Sequence, residues 1–155
     1  MTGAGTAREL TVGAEIAGPV RVVTAERIQW YDSAMLSAAT GELTQVGVNI
    51  HTDDAYAKEE GLPGVIADGM ISTNWCSSML TEHFGLDYVE RGELRTKFIK
   101  PILLGQVVHV RGRVVSANRQ ANGGAVVYGL EIWCEDEKGV KLTVGDAKVE
   151  VASPS

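Results

Sequence analysis

The sequence predicts an α+β fold. Three observations carry this. A nearly chargeless helical stretch runs from about Gly69 to Phe84, two-residue periodicity takes over after it, and turn signals join the later segments as hairpins. Helices first and strands after means an antiparallel sheet packed on a buried helix.

Each element has its own warrant. Val20–Val23 reads as a short strand. Thr24 is an N-cap, and a helix follows from Ala25 to about Ala38 with Ile28, Trp30, Tyr31, Met35 and Leu36 as its apolar positions. Residues 39–50 hold Gly41 and Gly47 and no period, so they form a loop. Thr52 is expected to cap a short helix, with Asp53 and Asp54 at its positive dipole end. Gly61 ends that helix and Pro63 prevents its restart. The Gly69–Phe84 helix has its stripe at Ile71, Trp75 and Met79. Ser72, Thr73, Ser77 and Ser78 keep the rest small, and no charge precedes Glu82, so most of this helix is expected to be buried.

The strands follow. Leu94–Ile99 stops at Lys100-Pro101. Gln106–Ser116 puts Val108, Val110 and Val114 on one face and His109, Arg111 and Arg113 on the other. Ala125–Glu135 aligns Val126, Tyr128, Leu130, Ile132 and Cys134. Hairpin turns are expected at Asn122-Gly123-Gly124 and at Asp136–Gly139. In Val140–Val151 the apolar parity switches, which predicts a bulge near Gly145-Asp146.

A chain of 155 residues fits one domain, expected over residues 9–151 with loose tails at 1–8 and 152–155. The formal net charge is −6 and no face forms a basic stripe, so a nucleic-acid partner is not expected. No stretch reaches the ~20 apolar residues of a membrane span, and Met1–Arg8 holds no apolar signal region; the expected location is cytoplasmic. Cys76 and Cys134 lie in apolar patterns without metal-ligand spacing, so they read as reduced core thiols and no metal site is expected.

Three segments carry a resemblance: Asn49-Ile50-His51-Thr52-Asp53-Asp54-Ala55-Tyr56-Ala57, Gly61-Leu62-Pro63-Gly64-Val65-Ile66-Ala67-Asp68-Gly69-Met70, and Phe98-Ile99-Lys100-Pro101-Ile102-Leu103-Leu104-Gly105. They resemble the MaoC-like (R)-specific enoyl-CoA hydratases over about residues 10–151. The resemblance implies a hot-dog fold, in which an antiparallel sheet wraps a long helix. It also implies a lyase without a cofactor, acting on an acyl thioester of coenzyme A or acyl carrier protein. Members usually pair as dimers, here a homodimer or a heterodimer. By resemblance His51 is the proton-transfer histidine and the N–H of Gly69 the oxyanion donor, with Asn49, Met70 and Trp75 touching substrate. The chemistry suits these positions: imidazole titrates near neutrality, and a helix N-terminus offers unpaired N–H groups to a developing enolate.

The chain departs from the family motif Gly-Asp-x-Asn-Pro-x-His. Where the motif has its Asp, this chain has Val46, or Gly47 if the missing Pro is a deletion. Two carboxylates are candidates to replace it: Glu42, in Thr40-Gly41-Glu42, and Asp68, before the long helix. Asp68 also reads as an N-cap, Asn49 as a loop-holding residue, and Trp75 with Met79 as core. Asp53 and Asp54 read as dipole residues, and His83 and His109 as non-catalytic. Arg95, Lys97 and Lys100 read as a solvated strand face, or as a site for carrier phosphates. Three functions stay open. The leading one is a hydratase or dehydratase. Another is proton-transfer or thioesterase chemistry on the same scaffold, and the last is a catalytically silent acyl-binding subunit.

Overall fold

A computed structural model describes residues 10–121 and 124–152. The elements are β1 (Glu15–Ala17), β2 (Arg21–Val22), α1 (Ala25–Thr40), α2 (Asp54–Glu59), α3 (Gly69–Phe84), α4 (Leu86–Arg91), β3 (Gly92–Phe98), β4 (Val107–Arg119), β5 (Ala125–Asp136) and β6 (Lys141–Ala152). The strands form one antiparallel sheet in the order β1-β4-β5-β6-β3, with β2 also paired to β4.

The sheet packs on α3, whose Ile71, Trp75, Cys76, Met79, Leu80 and Phe84 are buried. The facing strand residues are those the two-residue period selects: Val108, Val110 and Val114 on β4, and Tyr128, Leu130, Ile132 and Cys134 on β5. Close approach is made possible by glycine. A Cβ on Gly112 would lie 2.9 Å from Ile16 Cγ1 and 3.2 Å from Met79 Cε. The hot-dog architecture expected from the sequence is therefore present.

Side-chain tethers complete the seating. Ser72 Oγ donates to Gly69 O at 2.7 Å and so accepts from Thr143 Oγ1 at 2.8 Å, inside the core. Thr73 and Thr96 hydroxyls meet at 2.7 Å, and Tyr88 O–H donates to Ser77 Oγ at 3.1 Å. Cys76 and Cys134 are free, buried thiols, as expected, with sulfurs 3.7 Å apart. Contact with Cys76, then burial, pushes the Cys134 thiol up.

Several expectations need correction. The parity switch in β6 lies at Leu142–Thr143, not at Gly145-Asp146. Cys134 pairs with Thr143 and Glu135 with Lys141, so Leu142 is the extra residue, and both Leu142 and Thr143 are buried. The bulge turns Leu142 O toward the N–H groups of Ile99 and Lys100, which donate at 2.9 and 3.0 Å. Asp53, not Thr52, caps α2. Asp53 Oδ1 takes the Tyr56 N–H at 2.8 Å, while the Thr52 hydroxyl points back to Gly47 O at 2.8 Å.

On α1 only Ile28 among the expected apolar positions is buried, and Trp30 is 70% exposed. Strand β1 and helix α4 escaped the periodicity because both are short; α4 buries no residue and follows directly on Gly85, whose φ is 57°. Ala152 belongs to β6 rather than to a tail. Most of the expected tails, and Asn122 and Gly123 of the expected turn, lie outside the described residues. Among the described residues no helix is long and apolar enough to cross a membrane.

The Ser72–Thr143 contact is asymmetric, which makes it testable. Ser72→Ala leaves the buried Thr143 hydroxyl without a partner and should destabilise the fold by about 1–3 kcal/mol. Thr143→Val keeps the shape and leaves Ser72 bonded to Gly69 O, so its loss in urea unfolding should be smaller.

Candidate active site

Asn49 organises the loop that carries His51. Its Oδ1 accepts the His51 N–H at 2.7 Å, and its carbonyl accepts from Thr52 N and Asp53 N at 3.2 and 3.0 Å. This is the Asx-type turn that asparagine favours. The carboxamide oxygen is thus engaged by the loop itself.

The His51 loop is clipped to the strand-like run ahead of α3. Ile66 N–H donates to Ile50 O at 3.2 Å, and His51 Nδ1 lies 2.8 Å from Ile66 O. A carbonyl can only accept, so Nδ1 carries the hydrogen, and in the neutral ring Nε2 is the free basic nitrogen. The same run is held from its other side, where Ala67 N–H donates to Ile102 O at 2.8 Å and Leu104 N–H to Val65 O at 3.0 Å.

Three residues on, α3 begins. Asp68 is its N-cap, with Oδ1 accepting the Met70 N–H at 2.7 Å. Gly69 N–H has no hydrogen-bond partner among the described residues. Gly69 lines a cavity of about 350 Å³ with Ile66, Phe98, Lys100 and Thr143. A Cβ there would stand 2.7 Å from the Phe98 ring, so only glycine leaves the ring its place over the helix start. His51 lines a second cavity, about 410 Å³, with Ala25, Gln29, Gly47 and Val65. Ile66, which holds the His51 ring, is in the wall of the first.

The expected site residues separate in space. His51, Asp68 and Gly69 fall along one clipped stretch. Trp75 is buried in the core, while Met70, 43% exposed, lies at the surface of the helix start. Glu42 is exposed just after the α1 C-cap, and its carboxylate has no hydrogen bond or ion pair among the described residues. Lys100 lines the Gly69 cavity, whereas Arg95 and Lys97 are exposed on β3. His83 Nδ1 bonds Met79 O at 2.9 Å, and His109 sits opposite Glu135 in the sheet.

Sequence reasoning missed one carboxylate that feels the His51 charge, Asp32 of α1. Ala25 and Gln29 of α1 line the His51 cavity, and Asp32 continues that row one turn on. Its Oδ2 is buried and has no hydrogen-bond partner among the described residues. Burial pushes the Asp32 carboxyl up; His51 draws it down less strongly, and Asp68 adds a further upward push. Beside it, burial and then Asp68 push the Tyr31 phenol up, against the Asn74 amide that donates to its oxygen at 3.2 Å. One signal in the sequence pointed here: Asp32 is one turn beyond Ile28, so it shares the face on which α1 packs. Among the described residues no group of His, Cys, Asp or Glu is arranged to hold a metal ion.

Sheet, helix and clipped loop define a hot-dog protein with a histidine held on the backbone run that leads into its central helix. Residues 48–134 match the family model for the MaoC like domain, and the chain belongs to that family. Similar solved structures include a MaoC-like dehydratase from Rhodospirillum rubrum (19% identity, TM-score 0.70, 94% of this chain and 95% of that one). Another is an (R)-hydratase from A. caviae involved in PHA biosynthesis (18%, 0.68, 94% and 99%). A third is the HadBC 3R-hydroxyacyl-ACP dehydratase complex of Mycobacterium tuberculosis (16%, 0.63, 90% and 96%). No curated protein sequence matches the chain significantly.

A carboxyl whose proton affinity is raised by folding costs stability once it ionises. The sign follows from linkage: below both pKa values Asp32 is neutral in either state, and the cost develops as pH rises toward the folded value. Asp32→Asn should therefore raise Tm at neutral pH, and the gain should shrink as the pH is lowered toward the ordinary carboxylate range. Thermal melts at several pH values check this.

Proposed function

We propose that the protein is a hydratase or dehydratase acting on a 2-enoyl or (R)-3-hydroxyacyl thioester of coenzyme A or acyl carrier protein. One observation carries the reading. The His51 Nδ1–H is fixed on Ile66 O at 2.8 Å, which frees Nε2 for proton transfer, and the segment holding it leads to the unpaired N–H of Gly69. The family membership, and the hydratases and dehydratases among the similar structures, agree with this reading.

The chemistry runs from these atoms. In hydration the thioester carbonyl oxygen accepts the Gly69 N–H at the positive end of α3. His51 Nε2 takes a proton from water as the oxygen adds to C3, and the enolate charge gathers on the thioester oxygen. One donor of this kind contributes about 2.7–4 kcal/mol to the transition state. A proton then goes to C2, which completes addition of H and OH across the double bond; dehydration is the reverse. Lys100, in the wall of the Gly69 cavity, gives the carrier's phosphates a positive partner. A second hot-dog domain, identical or related, adds along the outer edge of β3, where Phe98 and Ile99 are exposed.

The test is loss of enoyl absorbance with crotonyl-CoA and longer enoyl-CoA thioesters. Turnover is expected, and His51→Asn should lower kcat by about 10²–10⁴-fold. A folded wild-type protein that turns over no chain length sinks the proposal. Release of free thiol or an unchanged product mass would point instead to thioesterase or isomerase chemistry on the same scaffold.

A further inference from the structure

Asp32 has no structural role that the fold explains. It stands in the middle of α1, whose N-cap is Thr24, and it joins none of the ion pairs seen among the described residues. A buried, unpaired carboxylate oxygen is costly, and such groups concentrate at functional sites. Its place is equally specific. Ala25 and Gln29 of α1 wall the His51 cavity, Asp32 follows them one helical turn on, and the adjacent Tyr31 is tied to Asn74 of α3. Asp32 therefore lies on the part of α1 that joins the wall of the His51 cavity to the contact with α3. The other nearby carboxylates are already engaged: Asp53, in the wall of the His51 cavity, takes the Tyr56 N–H, and Asp68 takes the Met70 N–H.

We propose that Asp32 is the second proton-transfer residue of the site, standing in from helix α1 for the carboxylate that the loop before His51 lacks. The assignment rests on the hydratase reading above. The step balances. His51 Nε2 receives one proton from water as the C3–O bond forms and the C2=C3 π bond breaks. Asp32 gives its carboxyl proton to C2 as the enolate collapses, so the product gains one H and one OH. The site is left with an imidazolium and a carboxylate, and return of that proton to Asp32, directly or through solvent, restores it. The electrostatics favour this order. Burial favours the protonated form of Asp32, and a positive His51 favours loss of that proton afterwards. No oxidant, metal or further reactant enters.

The experiment measures two rates on the full chain: turnover of crotonyl-CoA, and exchange of the C2 hydrogen of (R)-3-hydroxybutyryl-CoA in D₂O followed by NMR. Asp32→Asn should lower both kcat and C2 exchange by about 10²–10⁴-fold with KM little changed. Asp32→Glu, which keeps an acid, should restore part of each rate. Should the Asn variant fold poorly, Asp32→Ser serves in its place. Wild-type turnover with Asp32→Asn close to the wild-type rate overturns the Asp32 assignment and leaves the hydratase reading standing. Loss of kcat that Asp32→Glu does not recover, with C2 exchange intact, also overturns it, since a packing defect would then be the cause. Absence of any wild-type turnover overturns the hydratase reading and this assignment with it.

Discussion

The seating of α3 in the sheet is the constraint on which the rest of the molecule depends. A helix covered on most sides can hold no charge, and its backbone must come close to the strands. Both demands are met by small side chains that are also tethers: Ser72 to Thr143, Thr73 to Thr96, Cys76 against Cys134, Ser77 to Tyr88. These contacts fix the helix in rotation as well as in depth. They also fix where its first turn lies, and so where the Gly69 N–H points. The bulge at Leu142 belongs to the same device, because it brings both Leu142 and Thr143 inward, the second to meet Ser72.

A second layer of order is built on that start. The run from Val65 to Ala67 is bonded on one side to Ile102 and Leu104, and on the other to the His51 loop. One carbonyl, that of Ile66, sets the tautomer of His51. A histidine on an otherwise irregular loop thereby acquires a defined orientation, as proton transfer requires. The clip uses backbone groups on nearly every side, so it needs little from the side chains of the loop.

Against this background Asp32 is a local conflict. Every other part of α1 is ordinary for an exposed helix: a Thr24 cap, a glycine C-cap, a single buried residue at Ile28. A buried carboxyl oxygen without a partner opposes folding, and nothing in the packing of α1 calls for it. Such conflicts are expected where function, rather than stability, chose the residue.

By itself the sequence determined the class of fold, the long buried helix with both of its ends, and the inward faces of β4 and β5. These follow from short-range physics: period, capping and charge exclusion act within a few residues of one another. Other features were decided only by tertiary structure. The bulge sits at Leu142 because Thr143 must reach Ser72, some 70 residues away in the chain. Asp53 caps α2 because Thr52 is held by Gly47. Asp32, which feels the His51 charge, came into view only with the packing of α1. Helical geometry puts Asp32 on the side of Ile28, where one carboxylate oxygen is buried, while Glu42 lies exposed past the end of the helix.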